Sequence, residues 1–389
     1  MLVTSLLTLL TTFGIILRKP GDSLAGRLFR VPLVWLVLRI AGTVFGLFYF
    51  LQLGPELLRS EEIGGAVFVG IAVNVLSVYI GACLLLPLLT DFGFMEFAGT
   101  IARPAFRRAF RLPGRAAIDS LASFVGASAI GLLSTIGQYE HGRYTAREAS
   151  VIATNFSVVS LPFSLVVARI AGIEQYFLPW YGVIVIACLV TALVSPRLPP
   201  LSRKTESRYR AMDDSTPAKH NFGKSMLQDA WQNAQRRAAK APGIREYFRI
   251  SLENLAFFAV SVIPAAMALA TIAALITFHT PLFYWVGYPF LALLELAGLA
   301  AADAAVPGLF SGFMDQFMPA VAASAIDNSL TSFVLAGLSV CQLIYMSEVG
   351  VIILRSSLPL SFTDLVVIFL LRTAIVLPIL LVGAHIVVG

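Results

Sequence analysis

The chain alternates long apolar runs with short charged loops. Near residues 32–54, 63–90, 148–172, 178–196, 252–278, 328–354 and 361–387 the apolar stretches approach or exceed the roughly 20 residues a helix needs to cross a bilayer. The shorter run 3–17 reads as a brief first span. No positive stretch precedes it and no small-residue cleavage site follows, which speaks against a signal peptide. The pattern predicts an all-α polytopic membrane protein with eight spans.

Two further apolar runs do not fit as spans. The run from Asp119 to Tyr139 is broken in its middle by Gly126-Ala127-Ser128, with Ser123 and Gly131 alongside. A crossing here would invert every later loop, so a re-entrant helical hairpin is expected instead. The run from Ala301 to Ala325 is interrupted by Pro307-Gly308, Ser311-Gly312 and Asp315 and predicts a second hairpin. Non-helical backbone at membrane depth persists only where protein or water satisfies it, and a Gly/Ser-rich tip leaves peptide groups free for a ligand. Each hairpin follows an interfacial segment. Phe92 to Arg111 carries Arg103, Arg107 and Arg111 on one stripe against Met95, Phe97, Ile101, Phe106 and Phe110, a pattern suited to the headgroup region. Pro281 to Leu299 is the aromatic-rich counterpart.

The two stretches align at an offset of about 182–184, with Ala117-Ile118-Asp119 facing Ala301-Ala302-Asp303 and 156–160 facing 338–342. An odd number of crossings separates them, so the copies are inverted. An inverted repeat with interrupted helices points to a secondary transporter. The expected organisation is 1–90, leading scaffold spans; 91–196, first repeat; 197–249, a basic linker with a polar helix at 223–240; 250–279, a bridging span; and 280–389, second repeat.

Composition narrows the picture. The chain is 58% hydrophobic and 13% charged, with a mean hydropathy of +0.84. Soluble domains carry about 25% charged residues, so a soluble fold, disorder and a disulfide scaffold are excluded. Cys83, Cys188 and Cys341 lie in apolar runs and read as small buried hydrophobes. Twelve Lys or Arg fall between Arg197 and Arg249, and others follow the first and third spans, whereas Glu56, Glu61, Glu62 and Glu174 occupy the alternate loops. The positive-inside rule then puts the N-terminus outside and 197–249 in the cytoplasm, in a bacterial inner membrane. The same asymmetry accounts for the net charge of +6, without nucleic acid as a partner.

Ionisable residues inside spans are costly and so are candidates for function. Asp315, beside Gln316 at the second hairpin tip, would bind a cation or a substrate amine, or else pair with an Arg. Glu348, after Gln342 and Ser347, would ligate a coupling ion or carry a proton, or sit solvated at a span end. Arg372 would neutralise an anionic solute group or act as fixed partner to Glu348 or Asp315. The pair is preferred, because an unpaired buried Arg costs several kcal/mol. Asn155, Ser157 and Ser160 occupy one broken span, and Ser339 and Gln342 the matching place in the other. Their amides and hydroxyls suit a neutral polar solute or a dehydrated ion, or helix packing. Ser123, Gly126, Ser128, Ser311 and Gly312 would supply the hairpin tips. Asp119 and Asp303 are expected to cap the hairpin helices. The sequence contains no HExxH, P-loop or GxSxG, and its four histidines are scattered. No catalytic residue, metal site or cofactor is expected beyond a coupling sodium ion or proton.

The stretches Arg143-Tyr144-Thr145-Ala146-Arg147-Glu148-Ala149 and Ile152-Ala153-Thr154-Asn155-Phe156-Ser157 resemble the YjiH family of nucleoside-recognition (Gate) proteins. So do Gly312-Phe313-Met314-Asp315-Gln316-Phe317-Met318-Pro319, the run Gln342 to Gly350, and Phe369-Leu370-Leu371-Arg372-Thr373. The resemblance covers most of the chain from about residue 63 onward, apart from the linker. The wider group includes concentrative nucleoside transporters, whose hairpin tips and broken helices hold solute and sodium in an elevator domain. The resemblance therefore implies a fold of that kind, and a trimer by analogy. The acidic and Asn/Gln pattern that reads base and ribose in those transporters is not found, nor is the Cys motif of iron permeases. Two alternatives stand beside a nucleoside-like cargo. One is transport of an amino acid or short peptide, and the other a non-transporting scaffold that partners another membrane subunit.

Overall fold

The computed structural model describes residues 33–125, 128–156, 159–210, 226–299 and 301–389. The expected first span at 3–17, together with Gly126 and Ser157, lies outside the described residues. Those that are described form helices and turns, with no strand and one isolated bridge between Thr145 and Arg208. Among the described residues, five helical runs are long and apolar enough to cross a membrane: Leu33–Leu51, Glu56–Gly81, Glu174–Arg197, Ile244–His279 and Phe362–Val387.

The helices are α1 Leu33–Leu51, α2 Ala72–Asp91, which continues a π-helical stretch at Glu61–Ile71, and α3 Phe94–Arg108. There follow α4 Ala116–Val125, α5 Ser128–Glu140, α6 Ala146–Asn155, α7 Leu161–Ile170, α8 Phe177–Val194 and α9 Met226–Ala238. Next come α10 Ile244–Phe257, α11 Ile263–His279, α12 Leu282–Gly287, α13 Leu291–Leu296, α14 Ala302–Ser311 and α15 Met318–Ser324. The last are α16 Ser329–Cys341, α17 Val349–Arg355 and α18 Phe362–Val387. The apolar runs 148–172 and 328–354 thus each hold two helices, one ending at Asn155 or Cys341 and the next starting at Leu161 or Val349, and no single helix of these is long enough to span a bilayer alone.

The chain divides into two compact bodies. One comprises 33–84 with Leu165–Gln175 and the described residues of Ile244–Ser339. In it α1 packs on α11 so closely that a Cβ at Gly42 would land on the Pro264 carbonyl. The arms α14 and α15 fold against each other, with Gly308 facing Ala322 and Leu335. Asp303, in the first turn of α14, accepts a hydrogen bond from Tyr284 Oη at 2.8 Å.

The second body comprises Leu85–Ser164, Tyr176–Gly243 and Val340–Gly389. Here α4 and α5 pair. Gly131 is required at their contact, because any Cβ there would strike Ser123 Oγ. Asp119 does not cap α4. Its carboxylate accepts instead from Ser134 Oγ of α5 at 2.8 Å and from Tyr144 Oη at 2.5 Å, which ties both arms to the turn before α6. That turn is set by sequence: Thr145 and Glu148 form a capping box, each side chain accepting from the other residue's backbone N–H. The polar helix α9 packs along α3. Asn233 donates to Thr100, Arg237 pairs with Asp91 at 2.5 Å, and Gly93 admits the backbone of Ala234. The segment before the undescribed 211–225 returns to α6, where the Ala146 and Arg147 N–H groups donate to the carbonyls of Ser207 and Thr205.

Candidate functional site

The second body gathers its buried polar groups where α6 and α16 end. Asn155, the last residue of α6, is fully buried and its amide is fully engaged. Nδ2 donates to Val151 O and Thr154 Oγ1, both at 3.2 Å, while Oδ1 accepts from Ser195 Oγ at 2.6 Å and from Arg372 at 2.9 Å. Arg372 stands near the middle of α18 and has no solvent exposure. One guanidinium nitrogen also donates to Thr154 O at 3.1 Å. Nε and the other nitrogen both donate to Cys341 O, at 3.1 and 2.6 Å. Four of the five guanidinium N–H groups are therefore committed. The next residue, Thr373, accepts from Gln342 Nε2 at 2.9 Å and donates onward to Phe369 O. The last span thus holds the ends of both interrupted helices.

The expected pairing of Arg372 with Glu348 or Asp315 is not observed. Among the described residues no carboxylate pairs with this guanidinium. Glu348 precedes α17, half-buried, and accepts from Tyr345 Oη at 3.4 Å. Between α16 and α17 the backbone turns through Leu343 at φ +59°, a left-handed conformation that a leucine adopts only under constraint. Cys188 of α8 and Cys341 place their sulfurs 3.8 Å apart as buried free thiols.

Ser160, just before α7, differs from its neighbours. Its hydroxyl is buried and has no hydrogen-bond partner among the described residues, although its carbonyl accepts from the backbone and hydroxyl of Ser164. A buried hydroxyl left unsatisfied costs about 1–3 kcal/mol. Ser123 and Ser128 are buried at the facing ends of α4 and α5, and Ser347 is half-buried.

The remaining candidates belong to the first body. Asp315, between α14 and α15, is 4% exposed and accepts from Phe317 N–H at 2.9 Å. Gln316 is buried beside it, and Gly312 ends α14. Ser311 Oγ donates to Gly308 O at 3.3 Å. Ser339 Oγ accepts from Ala320 N–H at 3.0 Å, so α16 satisfies a donor of the second arm. Among the described residues no cluster of His, Cys, Asp and Glu is arranged to hold a metal. Ser195 and Thr373 are members of the polar cluster that sequence reasoning missed. Ser195 reads only as the end of a span, and Thr373 only as part of a family stretch.

The family described as Gate, nucleoside recognition, matches residues 72–174, which include α4 to α7. An uncharacterized protein of Alkalihalophilus pseudofirmus, BpOF4_10220, is 40% identical over 390 residues, covering 99% of this chain and 84% of that protein. No solved structure matches. The sequence match, the helical membrane fold and the two interrupted helices agree: this multi-pass membrane protein belongs to the nucleoside-recognition (Gate) family.

Proposed function

We propose that the chain is a secondary active transporter of a small polar solute, driven by sodium or protons and working by an elevator motion in the bacterial inner membrane. The observation that carries this reading is the pair of interrupted helices, α6/α7 and α16/α17, which end at buried polar residues held by one arginine. Uninterrupted helices satisfy their own backbone, so breaks at membrane depth are costly and belong where a cargo or ion uses the freed groups. The unpartnered Ser160 hydroxyl supports the same reading, since a solute hydroxyl or amide would complete it. We read α4–α7 and α14–α17 as two inverted copies of one unit, each a hairpin followed by a broken helix.

The solute is nucleoside-like by family. Asn155 engages its amide within the protein, and Gln342 commits its amide nitrogen to Thr373, which leaves hydroxyls, backbone and the Gln342 amide oxygen as recognition groups. Such groups suit a nucleoside sugar, an amino acid or a short peptide equally. The test is thermal unfolding of the detergent-purified chain with nucleosides, nucleobases, amino acids and dipeptides, each in sodium and in choline buffer. A true cargo at 100 times its dissociation constant stabilises the protein by about 2.7 kcal/mol. Silence across the panel, together with stable co-purification of another membrane subunit, would replace this reading with the scaffold role.

A further inference from the structure

The last carbonyls of an α-helix have no partner within the helix, and the aligned peptide dipoles leave about half a negative charge at that end. In this protein two such ends lie against one side chain. The Thr154 carbonyl of α6 and the Cys341 carbonyl of α16 both accept from Arg372, and the Asn155 amide oxygen completes an all-oxygen set. The two helix ends together supply about one negative charge. They balance the guanidinium where no carboxylate does so among the described residues. Carbonyls freed at a helix break are also the hard-oxygen ligands that transporters with discontinuous helices offer to a sodium ion.

We infer that Arg372 is a tethered cation, occupying the position between the two helix breaks that a dissociable ion would otherwise fill. The breaks are then held permanently by the protein's own charge, and no sodium binds there. This deepens the transporter reading and rests on it for its functional meaning, because it restricts coupling to an ion bound elsewhere. An arginine that served only as packing would be replaced by bulk. A tethered cation is replaced by charge.

The test is thermal unfolding of the full-length chain at constant ionic strength in choline, sodium or low-millimolar methylguanidinium chloride. It uses the wild type, Arg372→Lys, Arg372→Ala and Arg372→Met. The wild type and Arg372→Lys should show no shift with methylguanidinium, and any sodium shift they share reports an ion bound elsewhere. Arg372→Ala should melt well below the wild type and regain stability, saturably, with methylguanidinium or sodium. Arg372→Met, which restores bulk without charge, should stay destabilised in choline. Where Arg372→Ala yields no folded protein in choline, its recovery by purification in methylguanidinium is the readout. Three results overturn the inference: Arg372→Met as stable as wild type in choline, a methylguanidinium response in wild type equal to that in Arg372→Ala, or no recovery of Arg372→Ala in any cation. None of these readouts needs transport. A cation response limited to Arg372→Ala in a protein that binds no solute would sink the transporter reading and leave the tethered charge standing.

Discussion

Two tyrosine–aspartate pairs show how much a single hydroxyl contributes in different surroundings. Tyr144 has no exposed surface and places its hydroxyl 2.5 Å from the buried Asp119 carboxylate. Tyr284 makes the corresponding bond to Asp303 at 2.8 Å on the exterior of its body. Solvent can replace the second donor but not the first. Tyr144→Phe should therefore cost about 1.5–3 kcal/mol in unfolding free energy, and Tyr284→Phe no more than about 0.5 kcal/mol. Denaturant titrations in detergent measure both, and equal effects would contradict the difference in burial. Sequence alone suggested that both aspartates cap helices, because position in the first turn is visible while a tyrosine 25 residues away is not. The same limit hid the partners of Arg372. The cost of a buried arginine was legible and called for compensation, but carbonyls 31 and 218 residues away carry no sequence signal.

Helix breaks and hairpins were easier to read than their contacts. Glycine, serine and proline in the middle of apolar runs marked the turn between α14 and α15 and the irregular backbone before α7 and α17. The polar stretch 223–240 emerged as α9, Met226–Ala238. That α9 packs along α3 was not legible, since a polar helix shows one face to water and does not announce what the other meets. Cys188 and Cys341 likewise read as separate apolar fillers, 153 positions apart, although their sulfurs lie 3.8 Å from each other. Their proximity tests the packing of α8 against the end of α16. Trypsin cleaves within 197–249, which carries twelve Lys or Arg, and so separates Cys188 from Cys341 along the chain. After treatment with diamide, which takes two electrons and two protons from a thiol pair, the fragments should migrate together on a non-reducing gel. They should separate on reduction, and in Cys188→Ser. Separate fragments after diamide in the wild type would contradict this packing.

For the whole molecule, composition pointed to a helical membrane protein, and Gly, Ser, Pro and polar residues inside apolar runs pointed to where its helices break. Those breaks converge on the second body through α18, where one buried cation serves two helix ends. The two interrupted helices and the Ser160 hydroxyl, without a hydrogen-bond partner among the described residues, are the observations on which the proposed transport rests. The most direct test is water access to that position in the membrane. Ser160→Cys, in a chain whose native cysteines are replaced by serine or alanine, is probed in oriented vesicles with a membrane-impermeant maleimide applied from each side. A transporter exposes its break to each side in turn. The introduced thiol should therefore label from both sides, at rates slowed by the solute that stabilises the protein. A thiol that labels after denaturation but from neither side of intact vesicles would contradict the account.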